Sequence, residues 1–241
     1  MQIIQPHITW LDTVDSTNSE AARHYATAAD LEVWAAAFQE VGRGQQQNRW
    51  ESEANKNLLF SIFFRPSNLR AEKQFMLSQL ISLALCESLQ QEGIKALIKW
   101  PNDIYVGKKK IAGILIEHHI FGAYVSSSIG GVGLNVNQAV FHVAPNPTSM
   151  FLETNRLFDL PLLLQKIVNT IKKHYLSIDP AKLQQEYLSH LLFYKQWANY
   201  RTSEGILLKA QIIDVRPGGE LVLMDEVGNN HSFIFKEVSL C

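Results

Sequence analysis

The chain has 241 residues, of which 46% are hydrophobic, which is typical of one large globular domain or of a domain with a small added module. Its 22 basic and 23 acidic residues nearly cancel, so the overall charge gives no support to a nucleic-acid partner. Cys86 and Cys241 are the only cysteines, which excludes a disulfide framework and a cysteine-based metal site.

The N-terminal sequence MQIIQPHITWLD lacks the cationic start and the long apolar core of a signal peptide. No apolar run in the chain reaches the roughly 18 residues that a membrane span needs. His118 and His119 are the only adjacent histidines, and neighbours in a strand point to opposite faces. We therefore expect a cytoplasmic protein with no membrane segment and no protein-bound metal.

The first helix signal is DSTN at residues 15–18, followed by SEAARHYA. Thr17 and Glu20 have the spacing of a capping box, which predicts that a helix begins here. A capped helix start also presents hydroxyls and backbone N–H groups that can bind a small polar ligand. The cap and the binding site are compatible interpretations.

Two buried strands are predicted next, at residues 33–38 and 58–65, and 19 mostly polar residues separate Phe38 from the second strand. Uninterrupted loops of that length are usually functional or disordered. Glycines on both sides of Arg43 permit backbone conformations that bring N–H groups close to an anion, and the guanidinium itself can bind a carboxylate or phosphate. A solvated flexible loop is the alternative, and a P-loop is excluded because no Gly-Lys-Ser/Thr follows.

A helix is predicted over residues 71–91, and a short strand over residues 96–100 leads into the sequence KWPND. Pro101 fixes its own backbone and favours an extended residue before it. Lys99 lies at the strand end, where its ammonium can reach a charged ligand. Asn102 and Asp103 fit a simple turn as well as they fit a ligand site.

A hairpin is predicted from residues 103–106 and 111–118, joined by the turn GKKK. The basic triplet Lys108–Lys110 is typical of a solvated turn. Gly113 predicts either a bulge or the close approach of a ligand. The stretch GGVGLNVN at residues 130–137 continues as a strand, which excludes a dinucleotide-binding loop and indicates that something flat lies against its glycines.

The last part of the chain predicts a change of architecture. Helical patterns cover residues 159–176 and 180–194, and short strands separated by PGG and GNN then follow. We expect a mixed α/β body over residues 1–195 and a small all-β unit over residues 196–241. The small unit buries little area alone, so it should pack on the body or close as a barrel.

The order DSTN, FQEVGRGQQQNRW, KWPNDI, KIAGILIE, GVGLNVN resembles the biotin protein ligase family over residues 10–155. The tail ending in KEVSL is similar to the family's C-terminal barrel. KWPND together with GRG is specific, because the related lipoate ligases share the fold but lack this pair. The resemblance implies an α+β fold: a mixed β-sheet flanked by helices, of the class II synthetase-like type, with a small C-terminal SH3-like β-barrel.

The resemblance also implies a two-step reaction. The carboxylate of biotin attacks the α-phosphate of ATP and gives biotinyl-5'-adenylate and pyrophosphate, with Mg²⁺ on the phosphates. A lysine of a biotin carboxyl carrier protein, such as an acetyl-CoA carboxylase subunit, then attacks the mixed anhydride. The family occurs as monomers and as homodimers, and the sequence does not choose between them.

Site residues follow from the resemblance. Lys99 would bridge the carboxylate and the α-phosphate, Arg43 would order the glycine loop over the intermediate, and Asp103 would orient Lys99 or assist the incoming lysine. We expect Lys99 and Arg43 to converge on one cavity. The implied biotin-binding set is Ser16, Thr17, Asn18, Gln39, Gly42, Arg43, Gly44, Gln45, Trp50, Lys99, Gly113, Gly131 and Gly133. The implied ATP-binding set is Arg43, Gln45, Arg49, Lys99, Asn102 and Asn135.

Two departures from the family pattern affect these expectations. Gln45 stands where many members carry arginine, so we expect weaker retention of the adenylate unless Arg49 replaces that charge. DSTN begins at residue 15, which leaves no room for the DNA-binding domain of some members, so we expect no DNA binding. The loop over residues 40–57 should be mobile without ligand. A lipoate or octanoate transferase and a non-catalytic binder are the alternatives.

Overall fold

A computed structural model describes residues 7–44 and 50–241. Its larger sheet has the strand order β1-β2-β3-β7-β6-β5-β4. The pair β1 and β2 is parallel and the other neighbours are antiparallel, so the mixed sheet predicted from the sequence is confirmed. The strands are β1 (Ile8–Val14), β2 (Val33–Gln39), β3 (Leu58–Phe64), β4 (Leu97–Lys99), β5 (Asp103–Val106), β6 (Lys109–Phe121) and β7 (Tyr124–Leu134).

Five helices accompany this sheet: α1 (Thr17–Arg23), α2 (Met76–Gln91), α3 (Met150–Thr154), α4 (Leu160–Leu176) and α5 (Pro180–His190). The predicted helix over residues 71–91 begins as a separate short 3₁₀ turn, Ala71–Lys73. Helix α2 is buried over most of its circumference because it lies against strands of the sheet and also against α4 and α5. Apolar side chains on all its faces are therefore required by its position.

The predicted start of α1 is wrong by one residue. Ser16 is the N-cap, and its Oγ accepts a hydrogen bond from the backbone N–H of Ser19 at 3.1 Å. The N–H of Thr17 donates instead to Gln39 Oε1 at 2.7 Å, which ties the helix start to the end of β2. Glu20 does not reach back to a cap, because its carboxylate binds Arg23.

The C-terminal unit is a five-stranded antiparallel sheet with the order β11-β10-β9-β8-β12. Its strands are β8 (Trp197–Thr202), β9 (Leu207–Val215), β10 (Leu221–Asp225), β11 (Asn230–Phe233) and β12 (Val238–Leu240). Throughout residues 197–241, which are all described, no ladder joins the edge strands β11 and β12. The sheet is therefore open where we expected a closed barrel, and only the isolated bridge between Phe235 and Val238 links that region.

The second sheet shares its core with the body. Ile212 and Leu221 belong to the same apolar cluster as Leu85 of α2. Hydrogen bonds cross the junction, among them one from Trp100 Nε1 to the carbonyl of Gly219 at 2.8 Å and one from Gln184 Nε2 to the carbonyl of Val215 at 2.7 Å. The division into residues 1–195 and 196–241 remains a prediction. Within the described residues, no helix combines the length and apolar character needed to cross a membrane.

Gly130 sets the distance between β7 and α2, which yields a stability prediction. A Cβ at this position would lie 2.6 Å from Ile81 Cδ1 and 3.2 Å from Phe64 Cε2, both in the core. Overpacking of that kind destabilises by about 1–3 kcal/mol, and we expect Gly130→Ala to do so in chemical denaturation. Ile81→Val removes the clashing Cδ1, so the double variant should lose less stability than the sum of the single changes. Additive losses would contradict this packing.

Candidate functional site

Three glycines on one face of the sheet form the floor of the site. Gly113 of β6 is the register partner of Gly133 of β7, and Gly131 lies two residues away on the same face. A Cβ at Gly131 would lie 2.1 Å from Asn18 Oδ1, and one at Gly133 would lie 2.5 Å from Trp50 Cε2. The flat group that rests on this floor is therefore the indole of Trp50, and only glycine leaves space for it.

Helix α1 supplies a buried polar wall above the floor. Asn18 is 4% exposed, its Nδ2 donates to Glu117 Oε2 at 2.7 Å, and its Oδ1 accepts from Ser61 Oγ at 2.6 Å. Ser61 Oγ also lies 2.8 Å from Thr17 Oγ1. Every side chain in this wall is fixed by a neighbour, so the wall presents donors and acceptors in defined positions.

Arg43 lies at the rim of this wall. Its Nη2 is 3.2 Å from Glu117 Oε2, and its Nε donates to Ser16 Oγ at 3.3 Å. Both members of the ion pair are about 40% exposed, with 41% for Arg43 and 43% for Glu117. An exposed pair contributes only about 0–1 kcal/mol, so Arg43 can exchange Glu117 for an entering anion at low cost.

The polar wall and the glycine floor enclose a cavity of about 60 Å³. Most of the predicted biotin-binding set lines it: Ser16, Thr17, Asn18, Gln39, Arg43, Gly44, Trp50, Gly113, Gly131 and Gly133. Gly42 does not line it but accepts a hydrogen bond from the N–H of Trp50 at 3.0 Å. Gln45 and Arg49 lie outside the described residues, so the predictions about them remain predictions.

Lys110 is a residue of the site that the sequence did not reveal. Its Nζ lies 2.6 Å from Asp103 Oδ1 and 5.5 Å from the centre of the Trp50 ring, and the side chain is 29% exposed. The prediction of a solvated turn is therefore wrong for this lysine. The register between β5 and β6 shifts between Ile104 and Tyr105. This shift interrupts the alternation of faces, and it brings Lys110 beside Gly113 on the floor.

A larger cavity of about 440 Å³ lies beside the first, between the body and the second sheet. Lys99 lines this second cavity with its ammonium 5.1 Å from the centre of the Tyr105 ring. Arg43 lines only the first cavity, so the expected convergence of Lys99 and Arg43 is not seen. Lys110 and Asp103 line both cavities and join them.

The two asparagines predicted to bind the nucleotide occupy different positions. Asn102 lines both cavities, and its Nδ2 donates to the carbonyl of Ile114 at 2.7 Å. Asn135 is 4% exposed and lines neither of them. Its Nδ2 donates to the carbonyl of Thr148 at 2.9 Å, while its Oδ1 finds no partner within the described part of the chain. A nucleotide contact by Asn135 remains a prediction.

Glu51 fastens the segment after Trp50 to a distant loop, which no sequence motif indicated. Its carboxylate accepts hydrogen bonds from the backbone N–H groups of His142, Val143 and Ala144 at 2.7–2.9 Å. Burial by itself raises the pKa of Glu51, but these three hydrogen bonds outweigh it and hold the pKa below its usual value. Across residues 7–44 and 50–241, no group of three or more His, Cys, Asp or Glu side chains is arranged to bind a metal ion.

Comparison with known proteins places these features in a family pattern. A sequence model of the biotin/lipoate A/B protein ligase family matches residues 10–135. The chain is 27% identical to the bifunctional ligase/repressor BirA of Bacillus spizizenii over 94% of the chain and 69% of that protein. It is 32% identical to the biotin–[acetyl-CoA-carboxylase] ligase of Mycobacterium tuberculosis over 56% of the chain and 51% of that protein.

One solved structure shows the likeness of fold. The biotin protein ligase of Aquifex aeolicus in complex with biotin and ATP superimposes with a TM-score of 0.77 and 24% identity, and the match covers 98% of each chain. At that level of identity the likeness concerns the fold.

The Glu51 contact predicts local protection of residues 142–144. Glu51→Gln leaves a single acceptor oxygen for three N–H groups, so hydrogen exchange of these amides should accelerate by roughly tenfold or more. In the parent chain the protection factors of the same amides, which are corrected for the intrinsic pH dependence of exchange, should fall as the pH drops through the lowered folded-state pKa of Glu51, because only the ionised carboxylate accepts all three bonds. Glu53→Gln, at an exposed position two residues on, is the control. Unchanged exchange in Glu51→Gln would contradict the contact's importance.

Proposed function

The chain belongs to the biotin/lipoate A/B protein ligase family, and on that premise we propose that it is an ATP-dependent biotin–carrier protein ligase. It activates biotin as biotinyl-5'-adenylate and transfers it to a lysine of a biotin carboxyl carrier protein, such as an acetyl-CoA carboxylase subunit. A relative named as a biotin–[acetyl-CoA-carboxylase] ligase and a similar fold that holds biotin and ATP support this proposal.

The observation that carries the proposal is the pair of joined cavities. The smaller one offers fixed hydrogen-bond partners at Ser16, Thr17, Asn18 and Gln39, as a cyclic urea requires. The larger one is lined by the lysines Lys99, Lys110 and Lys236, as a nucleoside triphosphate requires. An acid in the first cavity and a phosphate in the second would therefore meet at Lys110 and Asp103.

This arrangement suits formation of the adenylate. A carboxylate oxygen of biotin attacks the α-phosphorus of ATP, and the bond from that phosphorus to the pyrophosphate oxygen breaks. Negative charge accumulates where the two anions approach, so a cation placed at that point lowers the barrier. Lys110, which lines both cavities, would make this contact, and Lys99 in the larger cavity would bind the phosphates beside it.

The second step needs a neutral amine. The acceptor lysine attacks the carbonyl carbon of the mixed anhydride, AMP leaves, and the amine loses a proton. Asp103 lies at the junction of the cavities, 2.6 Å from Lys110. That contact supports a role in orienting Lys110, and its place at the junction suits an interaction with the incoming amine.

Magnesium would be bound mainly by the nucleotide. Among the described residues that line the larger cavity, Asp103 is the only acidic side chain, and Lys110 already occupies it. Mg²⁺ often uses one or two carboxylates together with substrate phosphates, so these residues fit an ion that enters with ATP. The cytoplasmic location and the monomeric or homodimeric state expected from the sequence remain predictions.

Transfer of biotin to a purified carrier domain in the presence of ATP and Mg²⁺ tests the proposal. Biotin-dependent release of pyrophosphate and labelling of the carrier lysine are expected. Transfer of lipoate or octanoate in place of biotin would identify the transferase alternative. Binding of biotin without pyrophosphate release would identify a non-catalytic binder.

Replacement of the two lysines separates their roles. Lys110→Ala should lower the rate of biotin adenylation by about a hundredfold, because it removes the cation at the point where charge develops. Lys99→Ala should act mainly by raising the KM for ATP. Lys108→Ala, an exposed change in the same turn, is the control and should leave both constants unchanged. Unchanged turnover in Lys110→Ala would remove Lys110 from the mechanism, and an unchanged KM for ATP in Lys99→Ala would do the same for Lys99.

A further inference from the structure

A lysine occupies a backbone conformation that lysine rarely adopts. Residues 234–237 form a tight turn in which the carbonyl of Ile234 accepts from the N–H of Glu237 at 3.1 Å. Glu237 Oε2 accepts in return from the N–H of Ile234 at 2.9 Å. Lys236, the third residue of this turn, has φ of +78°. Glycine or asparagine is usual at such a position, so the lysine costs free energy that the surrounding structure must offset.

Lys236 is one of the residues that line the larger cavity between the body and the second sheet. Lys99 and Lys110 of the body line the same cavity, so lysines from two separate parts of the fold border one space. Asp103 is the only acidic side chain in the described lining, and it pairs with Lys110 at 2.6 Å. Three positive charges against one negative charge leave a net charge of +2 on the described part of the wall.

Two of these cations have no carboxylate partner among the residues that the structure describes. Over residues 7–44 and 50–241, neither Lys99 nor Lys236 forms an ion pair. Each ammonium lies instead over an aromatic ring, at 5.1 Å from the centre of Tyr105 for Lys99 and at 6.0 Å from that of Phe235 for Lys236. Such contacts hold a cation in place without neutralising it. The wall is therefore ready for an anion carrying more than one charge.

We propose that Lys236 binds the β- and γ-phosphates of the nucleotide substrate, and the pyrophosphate formed from them, from the side of the second sheet. The identification of the nucleotide as ATP rests on the proposed function. Phosphate oxygens match the charge of this wall, whereas three ammonium groups would repel the protonated lysine of an acceptor protein. The unfavourable backbone of Lys236 is kept because it directs an ammonium at the phosphates.

The chain contains a matched control for this lysine. Lys195 also has a positive φ, +54°, and its ammonium lies 5.3 Å from the centre of the ring of the preceding residue, Tyr194. It does not line the cavity. Asparagine tolerates a positive φ, so Lys236→Asn and Lys195→Asn both remove an ammonium without adding backbone strain. Lys236→Arg retains the positive charge.

The experiment measures pyrophosphate and MgATP binding to the full chain by calorimetry, alongside the KM for ATP, biotin and carrier and the thermal midpoint. Lys236→Asn should weaken binding of both phosphate ligands by about tenfold, which is the loss expected for one charge-assisted contact. The KM for ATP should rise to a similar extent while those for biotin and carrier stay unchanged. The thermal midpoint should stay the same or rise. Lys236→Arg and Lys195→Asn should remain within about twofold of the parent chain.

Three results would overturn the proposal. The pyrophosphate affinity of Lys236→Asn could stay within about twofold of the parent, or Lys195→Asn could lose as much phosphate affinity as Lys236→Asn. Lys236→Asn could also raise the KM for the carrier and leave the KM for ATP unchanged. A parent chain that binds neither pyrophosphate nor MgATP would overturn it as well. The parent chain could bind pyrophosphate and MgATP, with weaker binding in Lys236→Asn, and yet transfer no biotin. In that case the phosphate site stands and the proposed function fails.

Discussion

The structure depends on three positions where the central sheet carries no side chain. Gly113, Gly131 and Gly133 leave a bare patch of backbone, and the indole of Trp50 and the amide of Asn18 occupy the space above it. A single methyl group at Gly131 would collide with Asn18 and would disturb its bonds to Ser61 and Glu117. The cavity, its polar wall and the position of Trp50 all follow from that absence.

The irregular pairing of β5 and β6 is the second feature that determines the geometry of the site. A regular ladder would keep the alternation of faces between Lys110 and Gly113, and residues three apart would then point to opposite sides. The register shift brings them together, so a cation from the hairpin stands where the two cavities meet. The second sheet closes the larger cavity from outside. The site is thus built by two units that share one core.

The order of the sequence motifs, through the family resemblance that it carries, was sufficient for the mixed sheet and for most of the lining of the small cavity, whereas local patterns alone gave the individual strands and helices. The sequence did not reveal Lys110 because a basic triplet beside a turn is normally solvated, and a register shift has no clear local signature. Strand β8, with Trp197 and Ala198 in a mixed pattern, lacked a clear alternation. Glu51 escaped notice because its partners are backbone N–H groups some 90 residues away, at His142 to Ala144.

The position of Trp50 has a kinetic consequence. Its ring lies on the glycine floor with Nε1 buried and without a partner in the described residues, and the remaining cavity is far below the roughly 300 Å³ of common small-molecule sites. The indole therefore competes with any ligand that needs the same space above the glycines. The apparent affinity then equals the intrinsic affinity multiplied by the fraction of molecules in which the ring has withdrawn. The observed association rate would level off with rising ligand concentration at the frequency of that withdrawal.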